Sequence, residues 1–383
     1  MKGTIIKRGS SYSVVIERDR DPLTGKRRRE WHSGYATKRE AEAARVDKLA
    51  AVQRGEHVEP SKLTLGAFLT TRWLPARESS LRPSTVESYR RNVRVHIVPK
   101  LGGVRLQGLT PDVLNGFYGD RLTTAGRRGD GLSPRTVRYL HSILHRALAD
   151  AFRWGLVVRN IADAADPPSQ KATRAVPPKT WSAVELRRFL ERVHDDRLYG
   201  MWLLYATTGL RRGEALGLKW SQLDLERGQA AISEARVTAG YAVRESTPKT
   251  DRGRRSVALD PATVAALREH RKRQVSEQLA YGAGYVQTGG LVFVQEDGSP
   301  LHPDRVSKVF GAHVSALGGT RITLHGLRHT WASLALQAGV NPKVVSERLG
   351  HATVSFTLDT YSHVMPGMQE DAAAAVAALV LGA

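Results

Sequence analysis

In the stretch after Ser133, apolar residues fall at Val137, Leu140, Leu144, Ala147, Leu148 and Ala151. Steps of three and four put all six on one face of an α-helix, so that face is expected to be packed. The helical period runs from Thr64 to about Val158, and its helix starts are marked. Ser84-Thr85-Val86-Glu87 is a capping box, in which the side chains satisfy backbone N–H groups the helix leaves orphaned. Thr110-Pro111 and Ser133-Pro134 each set a cap residue before a proline at the first helical position. The first 55 residues read differently. Tyr12 to Glu17 is strand-like, and Asp21-Pro22-Leu23-Thr24-Gly25 is turn chemistry. The basic run Lys26, Arg27, Arg28 and Arg29 leads into a second strand that ends near Trp31 and Gly34. Thr37-Lys38-Arg39-Glu40 is another capping box and opens a helix to about Arg54.

Two weakly periodic stretches divide the chain. Gly55 to Lys62 is polar with one proline, and residues 166–178 hold Pro167-Pro168, Lys171, Arg174 and Pro177-Pro178. Both compositions suit linkers. Beyond the second, Ser182-Ala183-Val184-Glu185 starts a helix, and Met201 to Thr208 is an apolar helix broken at Thr208-Gly209. Residues 230–259 predict a three-stranded meander: Ala231 to Val237, Ala242 to Thr247 and Arg254 to Leu259, with Thr250-Asp251-Arg252-Gly253 as the second turn. The expected fold is mainly α with small β-sheets (α+β). Residues 1–55 form a sheet-plus-helix domain, 62–165 a helical domain, 166–178 a linker, and 179–383 a last domain with an alanine-rich tail helix. A chain of 383 residues has room for two or three domains.

Charge changes this picture from a scaffold to a polyanion binder. The formal net charge is +21. Residues 1–60 carry 14 Lys and Arg against 9 Asp and Glu, residues 61–175 carry 19 against 8, and residues 176–383 carry 25 against 20. The excess is densest in the middle stretch, as in a clamp around DNA, where each neutralised phosphate releases counterions. Arg90, Arg91, Arg94, Arg135 and Arg138 lie there and are expected to meet the DNA backbone. Cysteine is absent, which excludes disulfides, thiolate metal sites and a cysteine nucleophile. No signal peptide opens the chain and no apolar run approaches membrane-spanning length, so a cytoplasmic, nucleoid-associated protein is expected, with no membrane partner.

The candidate chemistry is spread along the last 180 residues. Arg211 stands at a helix start, where backbone N–H groups favour an anion, but taken alone it reads more simply as a surface arginine paired with Glu214. Lys249 stands at the lip of a β-turn, from which an ammonium can swing. In His325-Gly326-Leu327-Arg328-His329, helical geometry sets Leu327, Trp331, Leu334 and Ala338 on one side and His325, Arg328 and His329 on the other. Histidines four apart can share zinc, but the metalloprotease pattern needs Glu where Gly326 stands, and Arg328 repels a cation. No metal and no cofactor is expected. Leu349-Gly350-His351 ends a helix that Asn341-Pro342 starts. Tyr361 follows in Thr360-Tyr361-Ser362-His363.

In this order, TGLRRGEALGL, TPKTDRGRRSVAL, HGLRHTWASLAL and LGHATVSFTLDTYSHV closely resemble the tyrosine recombinases, specifically phage-type, lambda-like integrases. The resemblance covers most of residues 180–365. Residues 62–165 are more loosely similar to the family's SAM-like core-binding domain. Residues 1–55 resemble the three-stranded, AP2-like arm-binding domain of integrases that recognise two classes of DNA site. The resemblance implies Tyr361 as nucleophile, Arg211 and Arg328 as an arginine pair, Lys249 as the strand-turn lysine, and His325 and His351 as a histidine pair. Many relatives carry an acidic residue where Gly326 stands.

The implied chemistry also follows from the residues. A tyrosine with pKa near 10 needs a base or nearby cations before it attacks. His325 suits the proton acceptor or a phosphate contact, Arg211 and Arg328 the grip on non-bridging oxygens, Lys249 the acid for the departing 5′ oxygen, and His351 a hydrogen bond to the phosphate. A 3′-phosphotyrosyl link keeps the bond energy, so a second strand's 5′ hydroxyl can reverse the step without ATP. Strand exchange between two double-stranded attachment sites implies a homo-tetramer. An excisionase or a DNA-bending host factor is a plausible helper. The rival readings are a Xer-type resolvase, a topoisomerase IB-like enzyme and a non-catalytic DNA-binding regulator.

Overall fold

The computed structural model describes residues 3–18, 25, 28–53, 58–124, 126, 129–173, 177–240, 242–246, 254–361 and 368–382. The chain divides into two compact units, Met1–Arg174 and Ala175–Ala383, and the division falls within the proline-rich stretch at 166–178. Among the described residues no helix is long and apolar enough to cross a membrane.

The first unit opens with an antiparallel sheet of β1 (Gly3–Arg8), β2 (Ser11–Arg18) and β3 (Arg28–Tyr35), with β2 central, followed by α1 (Lys38–Gln53). Residue patterning alone predicts β2 and β3, and the family resemblance implies β1 as the third strand. Val14 and Ile16 of β2 point at Ala41 of α1 and are completely buried. The capping box at Thr37 forms: Thr37 Oγ1 accepts from Glu40 N at 3.2 Å, and Glu40 Oε2 accepts from Ala36 N at 3.0 Å.

A helical bundle follows: α2 (Leu65–Ala67), α3 (Leu74–Glu78), α4 (Pro83–Asn92), α5 (Val98–Leu101), α6 (Pro111–Thr124) and α7 (Pro134–Arg153). Two π-helical turns, Phe68–Trp73 and Val93–Ile97, run directly into α3 and α5. The cause is Pro75 and Pro99: a proline cannot donate the usual i→i−4 bond, so the ladder widens by one residue ahead of it. The six apolar positions of α7 are all fully buried, joined by Ile143. One helix start differs from expectation. Helix α4 begins at Pro83 with Arg82 as an N-cap that makes no side-chain bond, so Ser84 to Glu87 lies inside the helix rather than before it. The fixed φ of proline suits the first helical position and moves the start back.

The second unit contains α8 (Ala183–Arg192), α9 (Tyr199–Thr208), α10 (Arg212–Leu216), β4 (Leu223–Asp224), β5 (Gln229–Ile232), β6 (Ala235–Ala239), β7 (Ala242–Ser246), β8 (Arg255–Ala258), α11 (Pro261–Tyr281), α12 (Pro303–Leu317), α13 (Leu324–Gln337), α14 (Pro342–Leu349), α15 (Val354–Tyr361) and α16 (Met368–Leu381). Helix α9 is buried nearly all round and runs through a core that holds Trp181, Phe189, Phe310 and Leu327. The meander expected over 230–259 is not a single sheet. Its first strand breaks at Ser233-Glu234; β5 pairs with β4 and β8, while β6 and β7 form a separate two-stranded hairpin. Helix α13 is also buried on more than one side. Leu324 and Leu327 enter the main core, whereas Ala332 and Leu336 enter a smaller cluster with Val345, Leu349 and Tyr361.

Candidate active site

The site is assembled around the C-terminus of α14, where a helix leaves its last carbonyls without intrahelical donors and carries partial negative charge. Gly350 closes this helix in the left-handed conformation, φ 65° and ψ 49°. Three successive carbonyls there each accept from a different arginine. Arg255 Nε donates to Arg348 O at 2.6 Å, Arg328 Nη2 to Leu349 O at 2.7 Å, and Arg211 Nη2 to Gly350 O at 2.9 Å. Residues 211, 255 and 328, far apart in sequence, are thereby brought to one spot.

Each arginine has a second anchor. Arg328 Nη1 donates to Gly209 O at 2.9 Å. Gly209 ends α9 with φ 65°, and a Cβ there would stand 2.7 Å from Leu349 Cδ2, so both the turn and the close approach require glycine. Arg211 is the N-cap of α10 and pairs with Glu214 at 2.7 Å, while Glu214 also accepts from Arg211 N and from both Nη atoms of Arg255. Both expectations for Arg211 therefore hold: it sits at a helix start and it pairs with Glu214. Burial opposes ionisation of Glu214, but Arg255 and then Arg211 hold its carboxyl down to about 2. The carboxylate fixes two guanidiniums without touching the third.

Arg328, on the side of α13 opposite Leu327 by helical spacing, is buried, at 3% exposed. Burial, and then the charge of Arg211, lower its pKa, yet a guanidinium stays charged at neutral pH. His325 is more open and, with Arg211, lines a cavity of about 560 Å³ between α10, α12 and the start of α13. Burial, Arg328 and Arg211 all lower its pKa. His351 is buried, its Nδ1 is 2.8 Å from Thr357 Oγ1, and burial followed by the arginines takes its pKa down to about 3.

Tyr361 ends α15 and is completely buried, more than the half-buried packing expected of a helical tyrosine. Burial pushes its phenol up to about 12, against the pull of Arg328. Its hydroxyl lies 2.6 Å from His329 Nδ1, and donates to it when that ring carries its own proton on Nε2. Residue spacing had put His329 on the polar side of α13 without giving it a role; its position four residues after His325 was the available signal. Glu214 and Arg255 were likewise unassigned.

Lys249, Lys26 and Arg27 lie outside the described residues, as does the turn at 250–253. Arg28 opens β3, and Arg29 pairs with Glu17 at 3.3 Å. Among the helical-bundle arginines, Arg90 pairs with Glu78, and Arg138 donates to Pro168 O at 2.7 Å, while Arg91, Arg94 and Arg135 are exposed. Among the described residues no group of three or more His, Cys, Asp or Glu is placed to hold a metal.

Three sequence families match the chain: the phage integrase family over residues 182–367, a phage integrase N-terminal SAM-like domain over 64–120, and an arm DNA-binding domain over 4–45. A tyrosine recombinase XerC-like protein of Caldanaerobacter subterraneus subsp. tengcongensis is 29% identical, the match covering 97% of each chain. In fold, the chain is similar to the Tn1549 transposon integrase in complex with transposon right end DNA, with TM-score 0.63 and 20% identity over 78% of this chain and 94% of that one. It is also similar to a lambda integrase tetramer bound to a Holliday junction, with TM-score 0.54 and 16% identity over 92% of each chain.

Proposed function

The chain belongs to the phage integrase family of tyrosine recombinases, and we propose that Tyr361 is the nucleophile with which it cleaves and rejoins DNA at paired attachment sites. The observation that carries this assignment is the convergence of Arg328 and Arg211 on the adjacent carbonyls of Leu349 and Gly350, in the same fold as the tyrosine. Two guanidiniums held side by side match the two non-bridging oxygens of one phosphodiester. Their charge stabilises the pentacoordinate transition state, which is the role a divalent cation fills in other phosphoryl transfers. The reaction accordingly needs neither a metal nor ATP. His325, facing the cavity beside Arg211, suits a phosphate contact, and so does His351. Lys249 is the acid for the departing 5′ oxygen.

In the resting geometry the phenol is shut away from any DNA, so binding of the duplex has to expose it. The exposed arginines Arg91, Arg94 and Arg135, together with the basic run Lys26 to Arg29, supply the backbone contacts outside the site. The lambda integrase tetramer on a junction supports four protomers acting together. The α16 tail fits that assembly: Leu379, Val380 and Leu381 are each at least three-quarters exposed and suit a neighbouring protomer. An excisionase or DNA-bending factor fits a two-site integrase. The substrate places the enzyme on DNA in the cytoplasm of a bacterial host.

The test is a nicked duplex carrying the attachment sequence that flanks the gene. Wild-type protein should form a covalent protein–DNA adduct that survives EDTA, and Tyr361→Phe should form none. An adduct with Tyr361→Phe, or its loss with EDTA, would overturn the reading. Dependence on paired sites separates the integrase from a topoisomerase-like enzyme, which relaxes any supercoiled plasmid.

A further inference from the structure

The reaction requires that the tyrosine lose its proton, and the structure places a specific acceptor at the oxygen that loses it. We propose that His329, rather than His325, takes the phenol proton when Tyr361 attacks the phosphodiester. The inference rests on Tyr361 being the nucleophile and adds a residue to that reading.

Geometry carries it. The Oη of Tyr361 and Nδ1 of His329 are 2.6 Å apart, within the range a general base needs, and the two rings lie 5.6 Å apart at 51°. His325 stands one helical turn earlier, with its ring edge-on to that of His329 at 4.8 Å, and it opens to the cavity beside Arg211. The two histidines therefore face different oxygens: His329 the attacking phenol, His325 the side from which a phosphate would meet Arg211. Both lie on the face of α13 that also carries Arg328.

Burial, followed by the charges of His325 and Arg328, keeps His329 neutral down to about pH 4, so its lone pair is free to accept at neutral pH. The neighbouring cations disfavour an imidazolium in the resting state. That cost falls as negative charge builds on the phosphate oxygens, so proton transfer is coupled to attack. In the step itself the Oη–P bond forms and the phenol proton moves to Nδ1. The P–O5′ bond breaks, its electron pair leaves with O5′, and that oxygen takes a proton from an acid, Lys249 in the proposed scheme. In rejoining, His329 returns its proton to the departing phenolate.

Two assays isolate this role. The first measures cleavage of the nicked attachment-site duplex by His329→Gln and His329→Asn, using whichever variant melts like wild type. Loss of a general base predicts a fall of roughly 10²–10⁴-fold. The second supplies DNA ending in a 3′-p-nitrophenyl phosphate and measures its joining to a 5′-hydroxyl strand. Nitrophenolate leaves without a proton, so in a Tyr361→Phe background, where no phenol can attack the ester first, the acceptor is bypassed and adding the His329 substitution should not slow joining. Wild-type cleavage by the variant, or equal losses in both assays, would overturn the proposal. Failure of the underlying reading looks different: Tyr361→Phe would then still form the adduct.

Discussion

Asp150 in the first unit and Arg328 in the second are both buried charges, satisfied in opposite ways. Asp150, with a fully buried side chain, accepts from Trp73 Nε1 at 2.7 Å, from Arg77 Nε at 2.7 Å and from Arg153. Burial opposes its ionisation, but Arg77, Trp73 and Arg153 hold the carboxyl below its usual range. Here charge meets opposite charge, and the cluster locks the end of α7 to α3. Arg328 has only carbonyls at its two bonded Nη atoms, those of Gly209 and Leu349. Carbonyl dipoles can orient a guanidinium, yet they leave its unit charge uncancelled. Among the described residues the buried carboxylate nearby, Glu214, is shared between Arg211 and Arg255. A cation neutralised by carboxylate is a fastening; a cation held by dipoles keeps its field for a ligand.

Substitutions that exchange these two arrangements should separate stability from activity. The largest effect is expected for Arg328→Ala, which removes the charge proposed to stabilise the transition state: cleavage of the nicked duplex should fall by roughly 10³–10⁵-fold, the range for a lost arginine finger. Arg328→Lys should recover little of it, since one ammonium cannot span both carbonyls and still reach a phosphate. Recovery to near wild-type rate would break the comparison. Asp150→Asn should act the other way. Unpairing a buried ion cluster costs about 3–5 kcal/mol, read from denaturant unfolding, while cleavage per folded molecule stays unchanged. A cleavage defect at full folding would mean that the first cluster also serves the reaction.

The smallest effect is in pH. His329 and His351 titrate at about 4 and about 3 in the fold, against about 6.5 when unfolded. Between those values the unfolded chain binds more protons, so the stability of the second unit should decline as pH falls from about 6.5 toward 4. Asp150 has the opposite chemistry, and its contribution is lost only as pH drops through and below the usual carboxylate range. Thermal melts of His351→Gln should show a flatter slope between pH 6.5 and 4. An unchanged slope would remove the burial of His351 among the arginines as the cause.

Local physics made much of this legible from residues alone. The stripe from Val137 to Ala151 could pack only as a helix face, and Thr37, Ser133 and Ser182 are all N-caps as their sequence context demands. Where local pattern and structure differ, a non-local partner decides. Residues 230–259 alternate well enough for three consecutive strands, but β8 left the hairpin to pair with β5, and no local signal records that choice. Likewise, helical spacing separates Leu327 from Arg328 on a wheel and says nothing of a second cluster on the far side of α13.

The order and identity of the candidate site residues, the basic charge and the helical middle were properties of the sequence, because composition, period and capping act within a few residues. Which nitrogen the phenol meets, and which carbonyls steady the arginines, were decided only when α9, α10, α13, α14, α15 and β8 packed together. A hydrogen bond at 2.6 Å depends on distance and direction in space, and residues 329 and 361 acquire both only through that packing.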